Sequence, residues 1–178
     1  EDINSQETIN YLKQFNPDYI VSSWYKIIKK ELLSIPKYYC IGTHPTDLPK
    51  NGGRHPLHWL IMLKHKSTCL TFFKMNEGID AGEILLKIPF DISEEDSIND
   101  LNFKMNEAGY IGMEIICYDK ITNNPVPQNN LDIPNYLRKR TPYDIIIDPR
   151  MNYSMIKRIV NSFEYPYLCA KLIINDKI

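Results

Sequence analysis

The 178-residue sequence predicts an α/β fold: the second half of a doubly wound, mostly parallel sheet, followed by the start of a small C-terminal subdomain. Three observations predict it. Short apolar runs alternate with segments of helical periodicity, the pattern of strands covered on both faces. No glycine-rich turn precedes the first of these runs, so the pattern reads as the later part of a doubly wound sheet. A polar, proline-bearing stretch, Thr122 to Asn130, then separates the main body from the C-terminal residues. The expected division is residues 1–122 as the main domain, 123–136 as a linker and 137–178 as the beginning of the subdomain.

Taken in order, Asn4-Ser-Gln-Glu7 reads as a capping box for a first helix through Ile9 and Leu12, ended by Asn16-Pro17. Asp18 to Ser22 is a buried strand, and Ile27 to Leu33 a short helix stopped at Ile35-Pro36. Tyr38 to Thr43 is a second strand. Pro45 to Arg54, with two prolines and two glycines, is a loop. Pro56 opens a helix, where its missing N–H has no partner to lose. Thr68 to Met75 and Glu83 to Phe90 are further strands, joined by Asn76-Glu-Gly-Ile-Asp-Ala-Gly82. Ser93-Glu-Glu-Asp96 is expected to open a long helix with Ile98, Leu101, Met105, Ala108, Ile111 and Ile115 on its apolar face. Beyond the linker come Tyr143 to Ile147, a helix from Tyr153 to Phe163, and the apolar run Leu168 to Ile174.

Composition narrows the function classes. Hydrophobic residues are 43% and charged residues 24%, a globular balance that argues against disorder. Twenty-one basic and 22 acidic residues leave a net charge of -1, so no overall field attracts nucleic acid or an anionic membrane. No apolar run is long enough to span a bilayer, and the acidic N-terminus is not that of a signal peptide. Cys40, Cys69, Cys117 and Cys169 are scattered without a Cys-x-x-Cys pair and read as buried free thiols of a cytoplasmic protein. His55 and His58 stand at i and i+3 but lack a neighbouring third ligand, so no metal is expected.

In a sheet of this kind ligands bind beyond the carboxyl ends of the strands. His44, after the second strand, and Asp80, after the third, stand where such a site would be. The segments Ile41-Gly-Thr-His-Pro-Thr-Asp-Leu-Pro-Lys50, Gly53-Arg-His-Pro-Leu-His-Trp59 and Met75-Asn-Glu-Gly-Ile-Asp-Ala-Gly-Glu-Ile84 occur in that order around an apolar helix. Together they resemble the 10-formyltetrahydrofolate-dependent formyltransferases. Arg138-Lys-Arg-Thr-Pro-Tyr-Asp144, Ile147-Asp148 and Tyr165-Pro-Tyr167 extend the resemblance into the C-terminal part. It implies an N-terminal half-sheet of roughly 70 residues ahead of residue 1, on the size of such units.

The resemblance also implies a chemistry. A substrate amine attacks the formyl carbon of 10-formyltetrahydrofolate. A general base near neutrality must take the amine proton, and His44 matches that position. Asp80 matches the supporting carboxylate, which orients an imidazole and stabilises its cationic form. The family's Asn two residues before the His is Gly42 here. The developing oxyanion therefore needs another donor, with His44 or water expected rather than Thr43 or Thr46. Folate contacts are expected at Tyr25, Lys26, Ile27, Ile79 and Asp80. The wording around Lys50 to Trp59 is similar to that of sugar-nucleotide N-formyltransferases, so the expected acceptor is a nucleotide-linked amino sugar. Arg54 would meet its phosphate and Tyr165 and Tyr167 its base. Trp59 is expected in the core. Methionyl-tRNA formyltransferase and a non-catalytic folate-binding relative are the alternatives. Nucleic acid and membrane are not expected as partners; a homodimer is compatible.

Overall fold

A computed structural model describes residues 2–23, 26–119, 125–128 and 133–173. Its elements run α1 (Gln6–Lys13), β1 (Tyr19–Ser22), α2 (Lys30–Leu33), β2 (Tyr39–His44), β3 (Gly52–Gly53), α3 (Pro56–Met62), β4 (Ser67–Lys74), β5 (Ile84–Asp91) and α4 (Ile98–Asp119). The C-terminal part adds β6 (Tyr136–Leu137), a 3-10 turn (Pro142–Ile145), β7 (Ile146–Ile147), α5 (Tyr153–Ser162) and β8 (Lys171–Leu172).

The architecture is α/β, as expected. The main sheet has the order β1-β2-β4-β5. Parallel pairing joins β1 to β2, β3 to β6 and β7 to β8. The pairs β2–β4 and β4–β5 are antiparallel, so the main sheet is mixed on its β5 side. The reason is local: the nine residues between β4 and β5 contain no helix, and a parallel return needs a crossover of a dozen or more.

Adjacent residues of β2 face opposite layers. Cys40 joins Ile28 and Leu32 under α1 and α2, whereas Ile41 joins Leu70, Phe72 and Leu85 under α4. Gly112 lets α4 lie on the sheet, because a Cβ there would collide with the Phe72 ring. The apolar face of α4 accordingly runs Ile98, Leu101, Ala108, Gly112 and Ile116. Ile111 is exposed and Ile115 only partly buried, because 3.6-residue periodicity carries the stripe past them. This helix starts at Ile98, later than expected. Ser93–Asp96 forms a separate turn, and the Ser97 hydroxyl accepts from Asp100 N while Asp100 Oδ2 accepts from Ser97 N. The first cap is likewise displaced. Ser5 Oγ accepts from Thr8 N, leaving the Asn4 amide free for a longer-range task.

Residues 137–173 are tied to the body. Ile145, Ile147, Ile159 and Phe163 form a cluster that Met62 of α3 joins, and Leu137 pairs with Gly53. The expected linker is also engaged where described: Val126 bridges to Ile84 in both directions. Of the cysteines Cys40 and Cys69 are buried, but Cys117 and Cys169 are exposed, contrary to expectation. Cys117 follows the buried Ile116 and so faces out of α4. Among the described residues no helix is long and apolar enough to cross a membrane.

Candidate active site

β2 ends at the lip of a wide cleft, and His44 is its last residue rather than a loop residue. The side chain is buried. Its Nε2 lies 3.1 Å from the Asn51 carbonyl. A carbonyl only accepts, so Nε2 carries the proton of the neutral ring. Nδ1 is turned toward Asp80, 3.5 Å from Oδ2. That is beyond normal hydrogen-bond length, and it becomes an ion pair only when the ring is protonated.

Two anchors place each partner. The loop after β2 is held from inside: Thr46 Oγ1 donates to Lys50 O at 2.8 Å, and Thr71 Oγ1 of β4 donates to Thr46 O at 2.6 Å. The Thr46 hydroxyl is thereby committed to the loop, whereas Thr43 lines the cleft. Asn51 reaches the His44 ring from a left-handed backbone, φ 58°, and its N–H donates to Asn135 Oδ1. Asp80 is also left-handed, φ 50°, between Gly78 and Gly82. Its Oδ2 accepts from Gly53 N at 2.8 Å, and Gln128 Nε2 donates to the carbonyls of Asp80 and Gly82. Gly82 fits because a Cβ there would collide with the Lys74 carbonyl.

The cleft has a volume of about 740 Å³, within the range of about 300–1,000 Å³ usual for ligand pockets. Its lining is partly apolar, with Ile27, Phe73, Met75 and Ile79, of which Ile27 and Ile79 are 66% and 57% exposed. It is also polar, with His44, Arg54, His55, Asp80, Asn102 and Tyr167. The Asn4 amide holds the loop bearing Ile27, donating to Ile27 O and accepting from Lys29 N.

Of the sequence-predicted residues, His44, Asp80, Lys26, Ile27, Ile79, Arg54 and Tyr167 all line this cleft. Tyr165 does not; it is 82% exposed, and its carbonyl accepts from Asn99. A turn at Tyr165-Pro166 breaks the extended backbone, and only the second ring faces the cleft, where Tyr167 Oη accepts from Asn102 Nδ2. Tyr25 lies outside the described residues. Gly42 faces Phe73 and Met75, whose side chains occupy the place a Cβ would take, at 2.9 Å each. Its backbone has no positive φ.

Trp59 is half-buried rather than a core residue. Its indole N–H donates to Arg138 O, and the guanidinium groups of Arg138 and Arg140 lie 4.9 and 4.4 Å from its ring. The cation–π contact holds the C-terminal segment to α3. His55 and His58 rings are 5.6 Å apart, and among the described residues no three side chains converge as metal ligands. His58 Nδ1 donates to the Ser162 carbonyl, and burial pushes its pKa down to about 4 against that hydrogen bond. Asn51, His55, Asn102 and Gln128 were not readable as site residues. Only His55 carried a signal, as half of an i,i+3 pair that suggested metal.

Comparison with known proteins agrees with this geometry. Residues 2–115 match the formyl transferase family model. A methionyl-tRNA formyltransferase of Ehrlichia ruminantium (strain Welgevonden) is 41% identical over 139 residues, 77% of this chain and 45% of that protein. The bifunctional polymyxin resistance protein ArnA of Wigglesworthia glossinidia brevipalpis is 32% identical over 182 residues, 99% of this chain and 27% of that one. The chain thus spans about half or less of these two relatives. Among solved structures, a sugar N-formyltransferase from Shewanella sp FDAARGOS_354 superposes with a TM-score of 0.77 at 20% identity, covering 99% of this chain and 72% of that one. A methionyl-tRNA formyltransferase from Clostridium thermocellum gives 0.70 at 27% identity over 98% and 74%. With the family model covering well over half of its residues and the cleft built from the motifs it encompasses, the chain belongs to the formyl transferase family.

Proposed function

We propose that this chain forms the catalytic part of an enzyme that moves the formyl group of 10-formyltetrahydrofolate onto the amine of a nucleotide-linked amino sugar. The observation that carries the reading is the buried His44, set at the strand end with Nε2 on a carbonyl and Nδ1 facing Asp80.

The residues present suit the folate. Ile27 and Ile79 leave apolar surface uncovered in the cleft. Lys26, Ile27 and Ile79 would hold the ring system, and the bound folate supplies the formyl carbon.

His44 acts as general base. Because the Asn51 carbonyl holds the proton on Nε2, the nitrogen that accepts the amine proton is Nδ1. The imidazolium so formed lies beside the Asp80 carboxylate, itself fixed by the Gly53 N–H. The family's supporting carboxylate thus acts here on the charge, while a backbone carbonyl sets the tautomer. The amide absent at Gly42 has no substitute in Thr46, whose hydroxyl is engaged; Thr43, which lines the cleft against expectation, protonated His44 or water supplies the donor for the oxygen charge.

Arg54 and Tyr167 in the cleft lining support a nucleotide-linked acceptor, and the net charge of -1 gives a tRNA no general attraction. The second reading is methionyl-tRNA as acceptor, favoured by the sequence relatives. The test is formyl transfer from 10-formyltetrahydrofolate by the full-length protein to 3-amino- and 4-amino-dideoxyhexoses on nucleoside diphosphates and to methionyl-tRNA. Transfer to the sugar nucleotides supports the first reading. Transfer to methionyl-tRNA alone selects the second, and folate binding without transfer to any acceptor would leave a non-catalytic relative.

A further inference from the structure

We propose that His55 binds the acceptor, its Nε2–H donating a hydrogen bond to a diphosphate oxygen of the nucleotide-linked sugar. This rests on the acceptor reading above and adds a residue to it.

His55 occupies a position for which its own backbone is poorly suited. It is left-handed, φ 53° and ψ 44°, and precedes α3 as the N-cap without capping it. A non-glycine residue in that region costs about 1–3 kcal/mol. This backbone lies outside the β region from which side chains cap a helix, so capping does not account for a histidine here.

The ring chemistry is set from the C-terminal segment. Arg140 N donates to His55 Nδ1 at 3.3 Å. A ring nitrogen that accepts is unprotonated, so the neutral ring carries its proton on Nε2. Burial, with Arg54, Lys139 and Arg140 nearby, lowers the pKa and keeps the ring neutral at physiological pH. The donor that sets this tautomer is itself immobilised. The Arg140 side chain is buried between Trp59 and Phe163, its guanidinium 4.4 Å from each ring centre.

His55 lines the same cleft as His44, Arg54 and Tyr167, and among the described residues its Nε2 has no hydrogen-bond partner. An oriented, neutral N–H donor at a cleft wall recognises an acceptor oxygen. With Arg54 adjacent in sequence and lining the same cleft, the oxygen that suits both groups is that of a phosphate. His44 and His55 thereby divide the work: one takes a proton, the other holds a ligand.

The experiment is calorimetric binding of dTDP- and UDP-linked 3-amino- and 4-amino-dideoxyhexoses, and separately of tetrahydrofolate, to the full-length protein. His55→Gly removes the ring and relieves the backbone. It should weaken the sugar nucleotide about tenfold, as expected for a lost donor, and leave tetrahydrofolate binding unchanged. His55→Gln carries an amide N–H out to the position of Nε2 and should recover part of the lost affinity. Acceptor KM should follow the same order. Equal sugar-nucleotide affinity in wild type and His55→Gly overturns the assignment alone. Parallel weakening of acceptor and folate, unrescued by Gln, also overturns it, as the mark of a structural role. A wild type that binds none of the sugar nucleotides overturns the acceptor reading and this assignment together.

Discussion

The sheet end of the cleft and the helix end each contain a buried histidine, and the two environments differ. His44 and His58 are 6% and 8% exposed. His44 faces a carboxylate across 3.5 Å at the edge of a wide cleft. His58 is sealed between α3 and α5, its Nδ1 on the Ser162 carbonyl and its ring against Phe163 and Tyr167. Around His58 the charged neighbour is Arg140, and burial and that charge both resist protonation. Equal burial thus goes with opposite surroundings: His44 faces a carboxylate in the cleft, and the lack of one at His58 leaves a neutral bolt between helices.

The largest effect that could break this contrast is loss of catalysis at His44. His44→Ala should lower formyl-transfer kcat/KM by about 10²–10⁴-fold, the usual range for a general base, in a steady-state assay with the full-length protein. Undiminished transfer would remove His44 from the chemistry. Asp80→Asn keeps an oxygen for Gly53 N and removes only the charge, so its loss in the same assay should fall within that range but below that of His44→Ala.

His58 should respond in stability instead. His58→Ala opens a cavity against Phe163 and leaves the Ser162 carbonyl without its donor, a combined loss of about 2–4 kcal/mol readable in urea unfolding. A stability within error of wild type would show that the helix interface does not depend on it.

A pH series sharpens the distinction. The folded-state pKa of His58 lies near 4, below its ordinary value of 6.5. Between these values the unfolded chain binds more protons, so stability is full above pH 6.5 and falls on acidification toward pH 4, by at most about 1.4 kcal/mol per pH unit for one group. His55, also lowered, adds to the same window. Asp144, held low by Arg138, titrates below it. His58→Phe should flatten the slope between pH 6.5 and 4; an unchanged slope would assign it elsewhere.

The smallest effect is expected at Gly42. Gly42→Asn meets only the side chains of Phe73 and Met75, on a backbone that any residue adopts. Their displacement should cost about 1–2 kcal/mol in urea unfolding. Formyl transfer should rise or stay unchanged. A fall comparable to that of His44→Ala would mean that Phe73 and Met75, rather than an amide, shape the site at this point.

Local chemistry made much of this legible. Alternation and branched side chains located β1, β2, β4 and β5 to within a residue or two, and Pro56 marked the start of α3. His44 and Asp80 were found through the motifs around them. Caps were less legible: Asn4 and Ser5 both suit an N-cap, and only the distant loop at Ile27 to Lys29 claims the Asn4 amide. Tyr165 and Tyr167 look alike in sequence, yet one ring enters the cleft and the other faces solvent.

The sequence by itself determined the α/β class, the strands, and the presence of a histidine and a carboxylate at their ends, because these depend on periodicity and on residues close along the chain. Only the tertiary structure decided which groups complete the site. Asn51 O on His44, Gly53 N and Gln128 on the Asp80 loop, and Arg140 N on His55 join segments up to 85 residues apart. Each of these contacts has a backbone group on one side, which every non-proline residue carries, so no side-chain pattern announces them. They exist where the packing of β3, α3 and the C-terminal segment brings a particular N–H or C=O beside a particular side chain.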